Sequence, residues 1–341
     1  MTELAQNIEA IRKEWGPRLL ILGHHYQDSD VLRHVDAIGD SLELARRAAA
    51  ETAAERIVFC GVHFMAESAD ILSAPNQAVY MPATSAGCPM ADMADVSQAE
   101  RAWQALQAHG ADWLPVVYVN SSAALKAFCG RNGGSACTSS NAAKVVEWVF
   151  SQGQRVFFLP DRHLGANTAH DLGLPDEAVA VYDPHAPANG VTGPQLDKAR
   201  VVAWAGYCPI HVVFTVDLIR ELRAAWPHAK IIVHPEAPKE VVRLADAHGS
   251  TAQIIKYVQH APAGSTIFVG TEAHLVRRLA EEHKDRLTVR VLKASVCPNM
   301  AKTTEQNLLT LLRDWPDWAI IRVPPAAITD ARLCLERMLR V

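Results

Sequence analysis

Three stretches of this chain follow one grammar, and that repetition limits the fold more than any other feature of the sequence. Each copy opens with an apolar strand that ends in a polar tip: "LLILGHHYQ", "PVVYVNSS" and "KIIVHPEAP". Each passes a helix and reaches a small hydroxyl-bearing group that starts another helix: "GDSLELARRA", "CTSSNAAKVV" and "GSTAQIIKYV". A second strand follows, "RIVFCGVHFMAE", "RVFFLPDRHLG" and "TIFVGTEAHL". A third runs into a cysteine and a proline, "AVYMPATSAGCPM", "ARVVAWAGYCPIH" and "LTVRVLKASVCPNM". Short apolar runs alternating with helical patterns make a parallel sheet faced by helices, and self-similarity on this scale implies repeated structural units.

The spacings agree. From the opening polar residue to the hydroxyl the steps are 17 (His24 to Ser41), 19 (Asn120 to Ser139) and 16 (His234 to Ser250). Gly61 to Cys88 and Gly270 to Cys297 are both 27. Asp161 to Cys208 is 47, and the excess falls in "GLPDEAVAVYDPHAPANGVTGPQLDK", near 173–198. A stretch so rich in Pro, Gly and Asp reads as a surface insertion. The pattern predicts an α/β chain of three homologous three-layer αβα domains, each with a short parallel sheet, around a pseudo-threefold axis. Their expected bounds are 17–98, 99–209 and 210–300. Residues 1–16 form an N-terminal helix, and 301–341 a C-terminal segment that packs back on the core, its strand "WAIIRV" docking on the first unit.

At 341 residues and 49% hydrophobic, the chain exceeds one ordinary compact unit. A net charge of -4 gives no support for nucleic acid or a membrane surface as the partner, which leaves a small-molecule substrate. The N-terminus lacks the apolar core of a leader, and no run of eighteen apolar residues occurs, so a soluble cytoplasmic protein is expected.

Seven scattered cysteines do not read as a disulfide framework. Cys88, Cys208 and Cys297 share one repeat position, beyond the carboxyl end of a strand, where parallel α/β sheets bind ligands. Three thiolates converging on one point suit a soft metal centre. Zinc held by three cysteines and a water is one reading; an iron-sulfur cube held at three corners, with one iron open as a Lewis acid, is the other. Cys60 and Cys334 read as core residues. Cys129 and Cys137 flank "GRNGGSA", which leaves a redox-active or disulfide pair open there as well.

Around that centre the strand tips supply His24, His25, Tyr26, Tyr118, Asn120, His234 and Glu236, groups that move protons and donate hydrogen bonds. Ser41, Thr138-Ser139-Ser140 and Ser250-Thr251 stand at helix starts. Such residues cap helices, and the same geometry binds carboxylate or phosphate. His211, three residues after Cys208, is an acid or base beside the centre or a residue that merely starts a helix.

Taken together, "GHHYQ", "GDSLELAR", "GVHFMAE", "AGCPMAD", "YVNSSAALKA", "CTSSNA", "LPDRHLG", "GYCPIH", "HPEAPKEVV", "GSTAQII", "VGTEAHL" and "CPNMAKTT" resemble the quinolinate synthase family, the A protein of de novo NAD biosynthesis, from about residue 18 to 315. The resemblance implies three homologous α/β domains and a 4Fe-4S cluster held by Cys88, Cys208 and Cys297. It implies condensation of iminoaspartate with dihydroxyacetone phosphate, with loss of phosphate and two waters, iminoaspartate coming from an L-aspartate oxidase or dehydrogenase. Matching the motifs puts His24, Ser41, Tyr118, Asn120, Ser139, His211, His234, Glu236, Ser250 and Thr251 around the pocket. Tyr26 and Tyr118 would be acid-base residues of isomerisation and cyclisation, supported by Glu236 and the histidines. The chain departs from the family pattern at His25, commonly a tyrosine, at "HPEA", which lacks a cysteine often found after the glutamate, in the long insertion, and in the loop "FCGRNGGSA".

Overall fold

The computed structural model describes residues 2–110 and 112–341. It begins with helix α1 (Glu3–Trp15), strand β1 (Leu19–His24), α2 (Ser29–Leu32), β2 (Ala37–Gly39), α3 (Ser41–Ala50), β3 (Arg56–Cys60), α4 (His63–Leu72), β4 (Ala78–Tyr80) and α5 (Pro89–Asp92). The second stretch runs through α6 (Val96–Ala108), β5 (Trp113–Tyr118), α7 (Ala123–Arg131), β6 (Ser135–Cys137), α8 (Ala142–Ser151), β7 (Arg155–Leu159), α9 (Arg162–Asp171), β8 (Val179–Tyr182), α10 (Gly193–Lys198) and β9 (Val201–Trp204). The third holds α11 (Val216–Ala225), β10 (Lys230–Val233), α12 (Lys239–Leu244), β11 (Ala247–His248), α13 (Thr251–His260), β12 (Thr266–Gly270), α14 (Ala273–Glu282) and β13 (Thr288–Val291). The chain closes with α15 (Glu305–Asp314), β14 (Ile320–Ile321) and α16 (Pro325–Arg340).

Each stretch builds its own parallel sheet, and the strand order is the same in all three: β2-β1-β3-β4, β6-β5-β7-β9 and β11-β10-β12-β13. The central strands β1 and β5 are buried along their whole length, which is why they read as unbroken apolar runs. Two sheets gain a fifth strand, both beyond the strand that leads to the cysteine. In the first it is β14, antiparallel to β4 with Ile320 opposite Tyr80, so the C-terminal segment adds an edge strand to the first sheet.

In the second sheet the extra strand is β8, parallel to β9, and it comes from the insertion. Most of residues 173–198 is exposed, and the segment carries regular structure as well. Ala180 and Tyr182 alternate inward and are buried, and that period of two adds an edge strand inside a segment whose turn residues dominate its composition.

The final helix α16 packs along α7 and β6. Arg337 donates to the carbonyls of Gly130 (3.1 Å) and Gly134 (2.6 Å). Gly130 permits the crossing, because a Cβ there would stand 1.8 Å from the Asp330 carbonyl oxygen. All seven cysteines are free, so Cys129 in α7 and Cys137 in β6 are unpaired.

One backbone bond recurs in every unit. The first N–H of the helix after the second strand donates to the carbonyl two residues before the cysteine: His63 to Ala86 (2.8 Å), Arg162 to Gly206 (2.9 Å) and Ala273 to Ser295 (2.8 Å). An otherwise orphaned helix-start donor thereby fixes each cysteine loop in the same way.

Candidate active site

Cys88, Cys208 and Cys297 line one cavity of about 130 Å³, with His24, Tyr26, Ser41, Tyr118, Asn120, Ser139, His211, His234, Glu236 and Thr251 on its walls. Of the residues anticipated around the centre, His25, Ser140 and Ser250 do not line the cavity and the others meet in one place. Ser250 is fully buried behind the wall, where its hydroxyl accepts the Gln253 N–H and caps α13.

The helix starts differ from the expectation in a second way. Asp40, and not Ser41, caps α3, accepting from the Leu42 and Glu43 N–H groups. Asp40 and Ser250 each lie 16 residues beyond His24 and His234. They are the equivalent caps, and Ser41 and Thr251 are the equivalent first helical residues that face the cavity. Ser139 does not cap either: it precedes α8 in a turn held by the Asn141 carboxamide oxygen, which accepts the Thr138 N–H at 2.8 Å.

The strand tips of the first and third units share a local device. The Tyr26 N–H donates to His24 Nδ1 (3.2 Å), and the Glu236 N–H donates to His234 Nδ1 (3.3 Å). A ring whose Nδ1 accepts carries its hydrogen on Nε2. Burial pushes both imidazoles down, His24 well below the usual histidine range and His234 to about 3, so both are neutral Nε2–H donors. His25, the departure from the family pattern, is bound at its carbonyl by Arg278 (3.0 Å) and lies with Nδ1 3.3 Å from the same guanidinium.

A continuous chain of hydrogen bonds crosses the site and joins all three units. The Tyr118 hydroxyl donates to Glu236 Oε1 (2.5 Å), and Glu236 Oε2 pairs with His211 Nδ1 (2.7 Å). His211 Nε2 pairs with Thr271 Oγ1 (3.1 Å), Thr271 Oγ1 with the Tyr26 hydroxyl (2.8 Å), and Thr251 Oγ1 donates to Tyr26 at 3.0 Å. Burial would push the Glu236 carboxyl up, but the imidazoles of His234 and His211 and the bonds from His211 and Tyr118 outweigh it and hold the group below the usual carboxylate range. Burial, and for Tyr118 the facing Glu236, push both tyrosines up, so each keeps its proton. Thr271 is the residue that sequence reasoning missed; it follows Gly270 in "VGTEAHL", and nothing local marks it.

Backbone groups in the turn that follows each proline act to lower the thiols: Met90 and Ala91 at Cys88, Ile210 at Cys208, and Asn299 and Met300 at Cys297. Burial comes first in raising all three thiols, Cys88 to about 12, and Cys88 is pushed further by Glu236 and Cys297, Cys208 by Glu236 and Cys88. No lysine or arginine among the described residues lines the cavity to offset three thiolates. Such sulfurs ionise on meeting a metal centre, and a soft three-thiolate set fits an iron-sulfur cluster. Cys208 Sγ, a His211 nitrogen and a Glu236 oxygen also lie within 4.8 Å of one another. Both ring nitrogens and both carboxylate oxygens already have hydrogen-bond partners, so this trio is better suited to moving protons than to holding an ion.

Residues 6–340 match the family described as quinolinate synthetase A protein. The chain belongs to that family. A quinolinate synthase of Halalkalibacterium halodurans is 52% identical over 99% of this chain and 93% of its own length. Those of Geobacillus sp. (strain WCH70) and Corynebacterium glutamicum are 48% and 46% identical, again over 99% of this chain and over 94% and 88% of theirs. Like the family resemblance, these alignments run through all three repeats of the quinolinate synthase fold. Among the described residues no helix is long and apolar enough to cross a membrane.

Proposed function

We propose that the cavity condenses iminoaspartate with dihydroxyacetone phosphate to give quinolinate, phosphate and two waters, a transferase-class step of NAD biosynthesis carried out in the cytoplasm. The convergence of three repeat-equivalent cysteines with the Tyr118–Glu236–His211 chain in one cavity carries this reading. Cys88, Cys208 and Cys297 are the proposed holders of a 4Fe-4S cluster. When bound, that cluster supplies a Lewis-acidic iron for the loss of hydroxyl groups.

The protein's own groups do the rest. His24 and His234 present Nε2–H donors suited to carboxylate or carbonyl oxygens, and their neutrality lets them orient an anionic substrate without competing for its proton. Glu236, held as a carboxylate, is the base; it takes the Tyr118 proton only as that hydroxyl oxygen takes one from the substrate, and His211 returns a proton through Nδ1. Tyr26, tied to Thr251 and Thr271, is a second acid in the cavity. With no lysine or arginine on the wall among the described residues, the phosphate and carboxylates fall to the α3 and α13 starts, where Ser41 and Thr251 add hydroxyls, and to Ser139. Asn120, whose buried Oδ1 has no partner among the described residues, supports a further substrate contact. An L-aspartate oxidase or dehydrogenase is the proposed source of the unstable imine.

The test is anaerobic turnover with iminoaspartate generated in situ and dihydroxyacetone phosphate, read as quinolinate by chromatography. Iron-loaded protein should form quinolinate and Cys297→Ala should not. A colourless zinc-loaded protein with equal activity, or an active Cys297→Ala, contradicts the reading.

A further inference from the structure

The position that caps the helix after the second strand is Val62, Asp161 and Glu272 in the three repeats. Val62 offers no side-chain bond, so α4 starts without one, and a carboxylate is not a requirement of the position. Glu272 nevertheless places a fully buried carboxyl there, and no lysine or arginine among the described residues forms an ion pair with it. Burying an acid in this way is costly. A single cap bond, which Ser250 provides for α13 with a hydroxyl, does not explain it.

Its contacts do. Glu272 Oε2 accepts the His274 N–H at 2.7 Å, while Oε1 accepts His274 Nδ1 at 2.9 Å and the N–H of Cys297 at 3.2 Å. Three N–H donors thus converge on one carboxyl, and one belongs to a cysteine of the cavity. The peptide on the other side of that loop is fixed by the Ala273 N–H, bonded to the Ser295 carbonyl. His274 Nε2 in turn lies 3.8 Å from Asp28 of the first unit. Asp161, the carboxylate at that position in the second unit, accepts the Leu164 N–H instead, so among the described residues Cys297 alone of the three has its N–H held this way, and it is the cysteine least buried by its surroundings.

We propose that Glu272 is a positioning residue for the third cysteine: its carboxyl fixes the Cys297 peptide so that the sulfur faces Cys88 and Cys208. This rests on the reading of the three cysteines as cluster ligands. Groups that orient metal ligands without touching the metal typically change metal affinity 10- to 100-fold when removed.

The experiment loads the unaltered protein, Glu272→Ala and Glu272→Gln with iron and sulfide under anaerobic conditions. Iron release to a ferrous chelator is followed by absorbance, and the iron-free forms are melted in parallel. Glu272→Ala should release iron about 10- to 100-fold faster. Glu272→Gln, which keeps an acceptor for the Cys297 N–H, should release it near the unaltered rate. If the unaltered protein binds no iron, the cluster reading falls and this inference with it. If the unaltered protein holds iron and Glu272→Ala holds it equally well, the role of Glu272 alone is overturned. It is overturned too if both variants lose iron faster and their iron-free forms melt lower by the same margin, since the residue then serves only the fold.

Discussion

Replacing Thr271 by valine removes one hydroxyl from the middle of the hydrogen-bond chain and keeps the shape of the side chain. Thr271 is fully buried and does not line the cavity, so substrate contacts are untouched. Tyr26 retains its bond from Thr251, whereas His211 Nε2 loses its one partner among the described residues, at 3.1 Å. Leaving one buried polar group unsatisfied costs about 1–3 kcal/mol. If His211 must hold its ring orientation while Glu236 exchanges protons, that loss falls on the transition state. At about 1.4 kcal/mol per tenfold, kcat drops by about fivefold to 150-fold. The assay is steady-state quinolinate formation at matched iron content, with Thr271→Ser as the rescue that restores the hydroxyl. We expect a fall in kcat with KM within about twofold, since uniform binding is not altered. An unchanged kcat, or a raised KM with kcat intact, would refute the argument that this chain carries protons across the site.

Ser250→Ala should lower stability by about 1 kcal/mol, the usual worth of a cap, and leave KM unchanged, whereas Ser139→Ala should raise KM for the anionic substrates and leave the denaturation midpoint in place. Lys126 is fully buried, with Nζ 2.6 Å from the Ser121 carbonyl, and burial pushes it down from 10.5 to about 8. Between those values the unfolded chain holds a proton that the folded chain has lost, so this group makes stability rise with pH across the window. Denaturant titrations of Lys126→Met and the unaltered protein should therefore show the difference shifting in favour of the unaltered protein by about 3 kcal/mol from pH 7 to above pH 10, at about 1.4 kcal/mol per pKa unit; a pH-independent difference would contradict it.

Much of this was legible because the repeat made counterparts visible. The three cysteines, the strand-tip histidines and Tyr118 with Glu236 all sit where the strand grammar placed them, since parallel sheets deliver their tips to one side. What escaped depends on contacts between units. Thr271 matters because a loop of one segment brings His211 against it and a strand tip of another brings Tyr26, and no spacing encodes that meeting. Asp40 escaped for a different reason: hydroxyl groups drew the alignment, while the equal 16-residue steps to Asp40 and Ser250 already marked the caps. The strand β8 was hidden by its flanks, whose proline and glycine content outweighed four residues of alternation.

The central claim is that three cysteines from three repeats hold one cluster. A count of iron and acid-labile sulfide on anaerobically purified protein tests it most directly. The account predicts about four of each per chain, lost on changing any one of Cys88, Cys208 or Cys297 to alanine and retained when Cys60 or Cys334 is changed. Iron without sulfide, zinc in place of iron, or a full count in any of the three alanine variants would contradict it.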